Sequence, residues 1–254
     1  EIEAGITGDV GAKGQIGTQG QVGPSGDIGP REETGLEKWV DLTPRSDGFI
    51  KDPVKYTDKE IGSMCPVQLA GGIYHSGECY SILDDVDLWL LQEDVAHGAD
   101  TKGVTFVLGH DIDLEPIIKG KGSWFSIGTE TNPFRGVFDG NGHSIVNLWI
   151  DNRDFSQGLF GVVFGGTDAA TAEIRNLGVS IATVHAEAEV GGLAGRVEGF
   201  VSIGNCFTTG GDVISNTDTA GGLIGEVGGE KVEIRNCYSD CRVSGRDEVG
   251  GLVG

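Results

Sequence analysis

Two short motifs alternate through the second half of the chain, and they constrain the fold more than any other feature. Four segments align on an asparagine: SIVNLWI (144–150), EIRNLGV (173–179), SIGNCFT (202–208) and EIRNCYS (233–239). Their asparagines, Asn147, Asn176, Asn205 and Asn236, are spaced by 29, 29 and 31 residues. A second motif follows each: GLFG (158–161), GLAG (192–195), GLIG (222–225) and GLVG (251–254). Units of this length cannot bury an apolar face alone. They bury it by stacking on their neighbours, which is the logic of a solenoid.

Stacking at the interstrand spacing of about 4.8 Å turns equivalent positions into columns. The alignment predicts three apolar columns: Ile145, Ile174, Ile203 and Ile234; Leu159, Leu193, Leu223 and Leu252; and Leu148, Leu177, Cys206 and Cys237. It predicts a ladder of Asn147, Asn176, Asn205 and Asn236 at one corner, amide to amide, with Asn176, Asn205 and Asn236 largely buried. The GLxG glycines supply tight turns. Upstream, SILDDVDLWLLQEDVAHG has Val86, Leu90, Leu91 and Val95 near helical spacing, an N-cap in Asp84 or Asp85 and a stop at Gly98. This reads as a capping helix over about 84–97. GVTFVLGHDIDL then reads as a strand.

The four GLxG motifs, the entry DGNGHSIVNLWI and the lead-in TFVLGHDIDL resemble the GLUG-repeat family of large bacterial surface proteins. The resemblance covers roughly 80–254. It implies a right-handed parallel β-helix similar to the pectin-lyase fold, with an N-terminal helical cap. It implies little about activity, because one fold hosts many functions.

A different signal opens the chain. Glycine fills every third position as Gly5, Gly8, Gly11, Gly14, Gly17, Gly20, Gly23, Gly26 and Gly29. Only glycine fits the axis of a collagen triple helix, so nine triplets in register read as a collagen-like stalk over 1–31. Val10, Ile16, Val22 and Ile28 add a six-residue period of branched residues. That period also suits a left-handed hexapeptide β-helix, though the strict glycines favour collagen, and a flexible linker would not need such register. Pro24 and Pro30 are the run's only prolines. Partner chains or packing must therefore supply stability. Residues 32–82 read as a connector with a small irregular β region, and 83–254 as the β-helix, continuing past the final GLVG.

Composition narrows the function. Lys and Arg number 18 against 39 Asp and Glu, a formal charge of −21, which argues against nucleic acid or an anionic membrane face as partner. No apolar run approaches the roughly 18 residues of a membrane span. Of the five cysteines, Cys65 and Cys79 flank one short stretch and suit a disulfide if the protein is secreted, the alternative being buried free thiols. Cys206 and Cys237, on adjacent coils, lie within bridging distance if they stack.

Catalytic signals are weak. Asn216–Asp218 (NTD) matches a polygalacturonase motif, but no basic partner follows in register. Asp111, Asp113 and Asp139 offer carboxylates to calcium, with no calcium loop around them, so turn and cap roles are the stronger reading. No HExxH is present. The sequence thus predicts a non-enzymatic, cofactor-free structural subunit of an extracellular or cell-surface fibre, filament or adhesin stalk. It would self-associate as a trimer or filament through the collagen-like segment. The alternatives are a phage or virus fibre binding a host glycan, and a polysaccharide-acting β-helix enzyme.

Overall fold

The computed structural model describes residues 55–69, 72–166, 172–229 and 231–254. The collagen-like segment, with its nine glycines and with Val10, Ile16, Val22 and Ile28, lies outside the described residues.

The described chain is a parallel β-solenoid of about five turns. One complete turn shows its plan. The strand Ala172–Arg175 leads into a corner at Asn176, then the strand Gly178–Ala186, then Ala188–Gly191. The GLAG turn follows, then Ala194–Glu198, and Gly199 swings the chain back to begin the next turn at Val201. Equivalent strands stack in parallel into four sheets, called here sheets 1 to 4 in their order around the turn. Sheet 1 is the longest run: Val67–Gln68, Cys79–Ile82, Thr105–Leu108, Val137–Asp139, Ala172–Arg175, Val201–Gly204 and Val232–Arg235.

The inward residues of sheet 1 form one column, Tyr80, Phe106, Phe138, Ile174, Ile203 and Ile234. Aromatic residues fill its early turns, with Phe106, Phe134, Phe138 and Phe160 in mutual ring contact at 5.2–6.5 Å. Branched residues fill the later ones. Each such side chain contributes about 1.5–3 kcal/mol on burial, and together they form one continuous core. Leu159, Leu193, Leu223 and Leu252 stack as a column, as do Leu177, Cys206 and Cys237.

The first repeat falls in a different register from the one its sequence suggests. SIVNLWI does not stack beneath EIRNLGV. Its strand, Ser144–Asp151, belongs to sheet 2 and pairs with Gly178–Ala186, matching Ile145 to Val179 and Leu148 to Ile181 through two bulges. The segment beneath EIR is Val137–Asp139, with Asp139 opposite Arg175 and 36 residues before it. Ile145, Leu148 and Asn147 therefore leave the expected columns. The false match has a physical source: Asn147, like Asn176, Asn205 and Asn236, takes a left-handed φ, here 63°. The same kind of backbone bend recurs in a different sheet, and asparagine tolerates it better than most residues.

The helix expected over 84–97 is α2, Asp85–Ala96, with Asp84 as N-cap accepting from Asp87 N–H at 2.9 Å and Gly98 at φ 94° beyond it. Leu88, Leu91 and Val95 enter the core. The helix does not close the stack, because Cys79–Ile82 and Val67–Gln68 extend sheet 1 beyond Thr105–Leu108. The same strands show that the solenoid begins before residue 83. The sequence reading missed two short helices, α1 (Asp58–Met64) and α3 (Glu115–Lys121). The first had a legible signal in TDKE, a capping box in which Thr57 and Glu60 satisfy each other's backbone N–H groups.

Helix α1 lies on the outer face of sheet 1. Tyr56, Ile61 and Cys65 pack there on Cys79 and Val107, and Asn141 Nδ2 donates to the carbonyls of both Tyr56 and Leu108 at 3.2 Å. Cys65 and Cys79 form a disulfide that anchors this segment.

Candidate functional sites on the corner and the flank

Three groupings bring polar side chains together. The first is the corner between sheets 1 and 2. Asn236 Nδ2 donates to Asn205 Oδ1 at 3.2 Å, Asn205 Nδ2 to Asn176 Oδ1 at 3.0 Å, and Asn176 Nδ2 to Asp139 Oδ1 at 3.1 Å. The ladder is less buried than expected: Asn176 and Asn205 are half-buried and Asn236 is exposed. Asn147 stands apart and donates to Asp113 Oδ1 at 2.8 Å.

The aspartates that had offered calcium ligands are engaged by the protein. Asp139 also takes Arg175 Nε at 2.9 Å and Asn141 N–H at 2.8 Å. The Asn147 amide, with Glu115 N–H, holds the Asp113 carboxyl below its ordinary pKa. Burial acts to raise Asp111, but Ser144 N–H, His143 and Lys55 outweigh it and leave the pKa lowered. The NTD segment is a turn: Asn216 Oδ1 lies 2.9 Å from His185 Nε2, and Asp218 N–H donates to Ser215 Oγ. No group of three His, Cys, Asp or Glu is arranged to hold a metal among the described residues.

The second grouping was not foreseen. It lies where sheets 3 and 4 meet, around Arg196. The guanidinium Nη1 is 3.1 Å from Glu130 and 3.8 Å from Glu189, and Nη2 is 3.4 Å from Glu198. Glu226 lies in register with Arg196 on the next strand. Burial raises the Glu226 pKa, and the neighbouring Glu189, with which it shares a hydrogen bond, raises it further against the pull of Arg196. Glu189 holds a left-handed φ of 53° and accepts from Ser156 Oγ. Two adjoining grooves flank this cluster. One, of about 410 Å³, runs between Phe164, Glu198, Phe200 and Lys231 over a floor of glycines. The other, of about 300 Å³, is lined by Glu130, Pro133, Arg135, Val162, Phe164 and Glu198. Four carboxylates around one guanidinium can share a proton and hold charge. Sequence spacing could not reveal them, because they come from a turn and three separate strands.

The third grouping is the thiols. Cys206 and Cys237 occupy neighbouring positions in one column, but both are free, as is Cys241. The expected bridge is absent. Burial pushes the Cys206 thiol up, and its hydrogen bond to Cys237 pulls that thiol down.

No family model matches the chain, and no solved structure matches it significantly. Two curated relatives share sequence with it. One is described as a Gly-rich membrane protein of Evansella cellulosilytica, 35% identical over 155 residues, which is 60% of this chain and 18% of the relative. The other is Halomucin of Haloquadratum walsbyi, 28% identical over 178 residues, 67% of this chain and 2% of the relative. The chain thus spans only a small part of either. Among the described residues no helix is long and apolar enough to cross a membrane.

Proposed function

We propose that the chain is a non-catalytic structural element of an extracellular or cell-surface protein, a stiff solenoid of right-handed, GLUG-repeat type that self-associates through its Gly-X-Y segment. The observation that carries this reading is where the polar side chains go. Asparagines and aspartates at the corner are spent on coil-to-coil contacts, which stiffen the stack and leave little for chemistry. The Cys65–Cys79 disulfide supports an oxidising location. The names of the two relatives, a Gly-rich membrane protein and Halomucin, agree with a surface setting. Right-handedness follows the general rule for parallel crossovers. The test is protease shaving of intact source cells, followed by sedimentation of the purified chain. Release of its peptides from unbroken cells and a mass above the monomer are expected. Protection until lysis, or a monomer mass, would overturn the respective part.

One observation favours a second reading. Glu189 and Glu226 form a carboxylate pair beside a groove with aromatic walls, the kind of geometry a polysaccharide-acting enzyme or a glycan-binding fibre would use. Incubation with a panel of acidic and neutral polysaccharides, read by reducing ends and by retention, distinguishes cleavage from binding. Neither outcome would return the flank to a structural role.

A further inference from the structure

Two turns on adjacent coils carry the same short pattern, GHDI (109–112) and GHSI (142–145). They stack. Ile112 pairs with Ile145 and Asp113 with Val146, so two positions back His110 lies opposite His143. Asn141 Nδ2 ties the turns together by donating to the Leu108 carbonyl at 3.2 Å. Asp111 Oδ1 does the same from the other side, accepting from Ser144 N–H at 2.8 Å. The two imidazole rings lie 6.3 Å apart, centroid to centroid, with their planes tilted by 59°.

The nitrogens of His143 are not equivalent. Nδ1 is 3.1 Å from Asp111 Oδ1. An ionised carboxylate only accepts, so Nδ1 carries the proton and Nε2 of the neutral ring keeps a bare lone pair. Lys55 Nζ approaches the same Nδ1 at 3.4 Å. Burial lowers the His143 pKa, with help from the charges of Lys55 and His110 and against the pull of Asp111, which keeps the ring neutral. Neither Nε2 of His143 nor the exposed ring of His110 makes a hydrogen bond among the described residues. A carboxylate on one nitrogen and a metal on the other is the usual setting of a metal-bound histidine. With metal–nitrogen bonds of about 2.1 Å, one ion bound to both rings holds their centroids roughly 5–6 Å apart. A small rotation of the exposed His110 side chain reaches that from the present 6.3 Å.

We propose that His110 and His143 form a two-histidine site for a divalent transition metal of the zinc, nickel and copper class, with Asp111 as the positioning residue and water completing the coordination. Imidazole suits these ions, whereas calcium and magnesium prefer oxygen. Asp111 spends its carboxylate on His143 and Ser144, so it orients a ligand and is not itself one. The ion staples one coil to the next where sheet 1 turns into sheet 2, since each histidine stands between a sheet 1 strand and a sheet 2 strand. The inference goes beyond the structural reading and stands whether or not the protein is a surface structure.

The experiment titrates zinc chloride into the full chain by calorimetry, with the accessible thiols first blocked by N-ethylmaleimide so that the free cysteines do not compete. One zinc site is expected to disappear in both His110→Ala and His143→Ala and to persist in His185→Ala, whose ring is already engaged by Asp151 and Asn216. Asp111→Asn should keep the site and weaken it about 10–100-fold, the usual effect of removing a ligand's orienting carboxylate. Electron paramagnetic resonance with copper(II) should show two imidazole nitrogens on the bound ion in the wild type and in Asp111→Asn alike. His110 is exposed, so its variant keeps the fold and remains a fair test where His143→Ala does not fold. Zinc binding in His110→Ala equal to wild type would overturn the proposal, because the ion would then sit elsewhere. So would a wild type that binds no zinc, fewer than two nitrogens on copper, or displacement of zinc by an equal concentration of calcium, which marks an oxygen site.

Discussion

Asn205 Nδ2 donates to Asn176 Oδ1 across 3.0 Å while both residues hold a φ of 54°. One residue type thus does two jobs, turning the corner and tying one coil to the next. Asn205→Leu loses both tasks: it leaves the neighbouring amides without a partner, at about 1–3 kcal/mol, and forces a branched side chain into the left-handed region. Asn205→Gly keeps the turn and loses only the ladder. Urea denaturation should therefore rank wild type above N205G and N205G above N205L. Equal stability of all three would remove the ladder as a source of stability.

Two glycines test how tightly the coils approach. A Cβ at Gly191 would sit 2.1 Å from the Ala194 carbonyl oxygen and 2.6 Å from Gly225 N. Both are backbone atoms that cannot step aside. Gly191→Ala is expected to cost about 3 kcal/mol or more. A Cβ at Gly204 meets nothing within 4 Å, so Gly204→Ala should be neutral or stabilise by about 0.4–1 kcal/mol through the unfolded chain. Thermal melts of the two variants side by side check both signs at once.

The disulfide holds the outer segment to sheet 1. Cys65 and Cys79 are 14 positions apart, and closing a loop of that size stabilises by about 3 kcal/mol in the chain-entropy account. Both half-cystines are buried. Cys79→Ser should lower the melting temperature and expose residues 55–65 to proteolysis before the solenoid itself. Simultaneous digestion of both regions would show that the segment is not a separately detachable layer.

The Glu226 carboxyl has a pKa raised above its ordinary 4.5 by burial and by Glu189. In the folded state it keeps its proton at a pH where the unfolded chain has lost it. Its contribution to stability is therefore fully present below about 4.5 and is lost as pH rises through the raised value. Glu226→Gln cannot ionise and should lack that decline, so the variant gains relative to wild type as pH increases. Parallel stability–pH curves for the two proteins would contradict the assignment.

The repeat period, the leucine column and the columns through Ile174, Ile203 and Ile234 and through Leu177, Cys206 and Cys237 were all legible in the sequence. Local chemistry alone demands them. Branched residues recur where the coil faces inward, asparagine recurs where the backbone turns left-handed, and glycine recurs where coils touch. The tertiary structure decided what lies beneath the first of these repeats. Asn147 has the local signature of the ladder, yet its strand pairs in sheet 2, and Asp139 takes the ladder's foot 37 residues before Asn176. Register is fixed by interstrand hydrogen bonds and by the length of chain between strands, neither of which a motif of seven residues contains. The Arg196 cluster was hidden for the same reason. Glu198 is two residues from Arg196 on its own strand and Glu189 is on the preceding strand of the same coil, but only the stacking of one coil on the next brings Glu130 and Glu226 to that guanidinium as well.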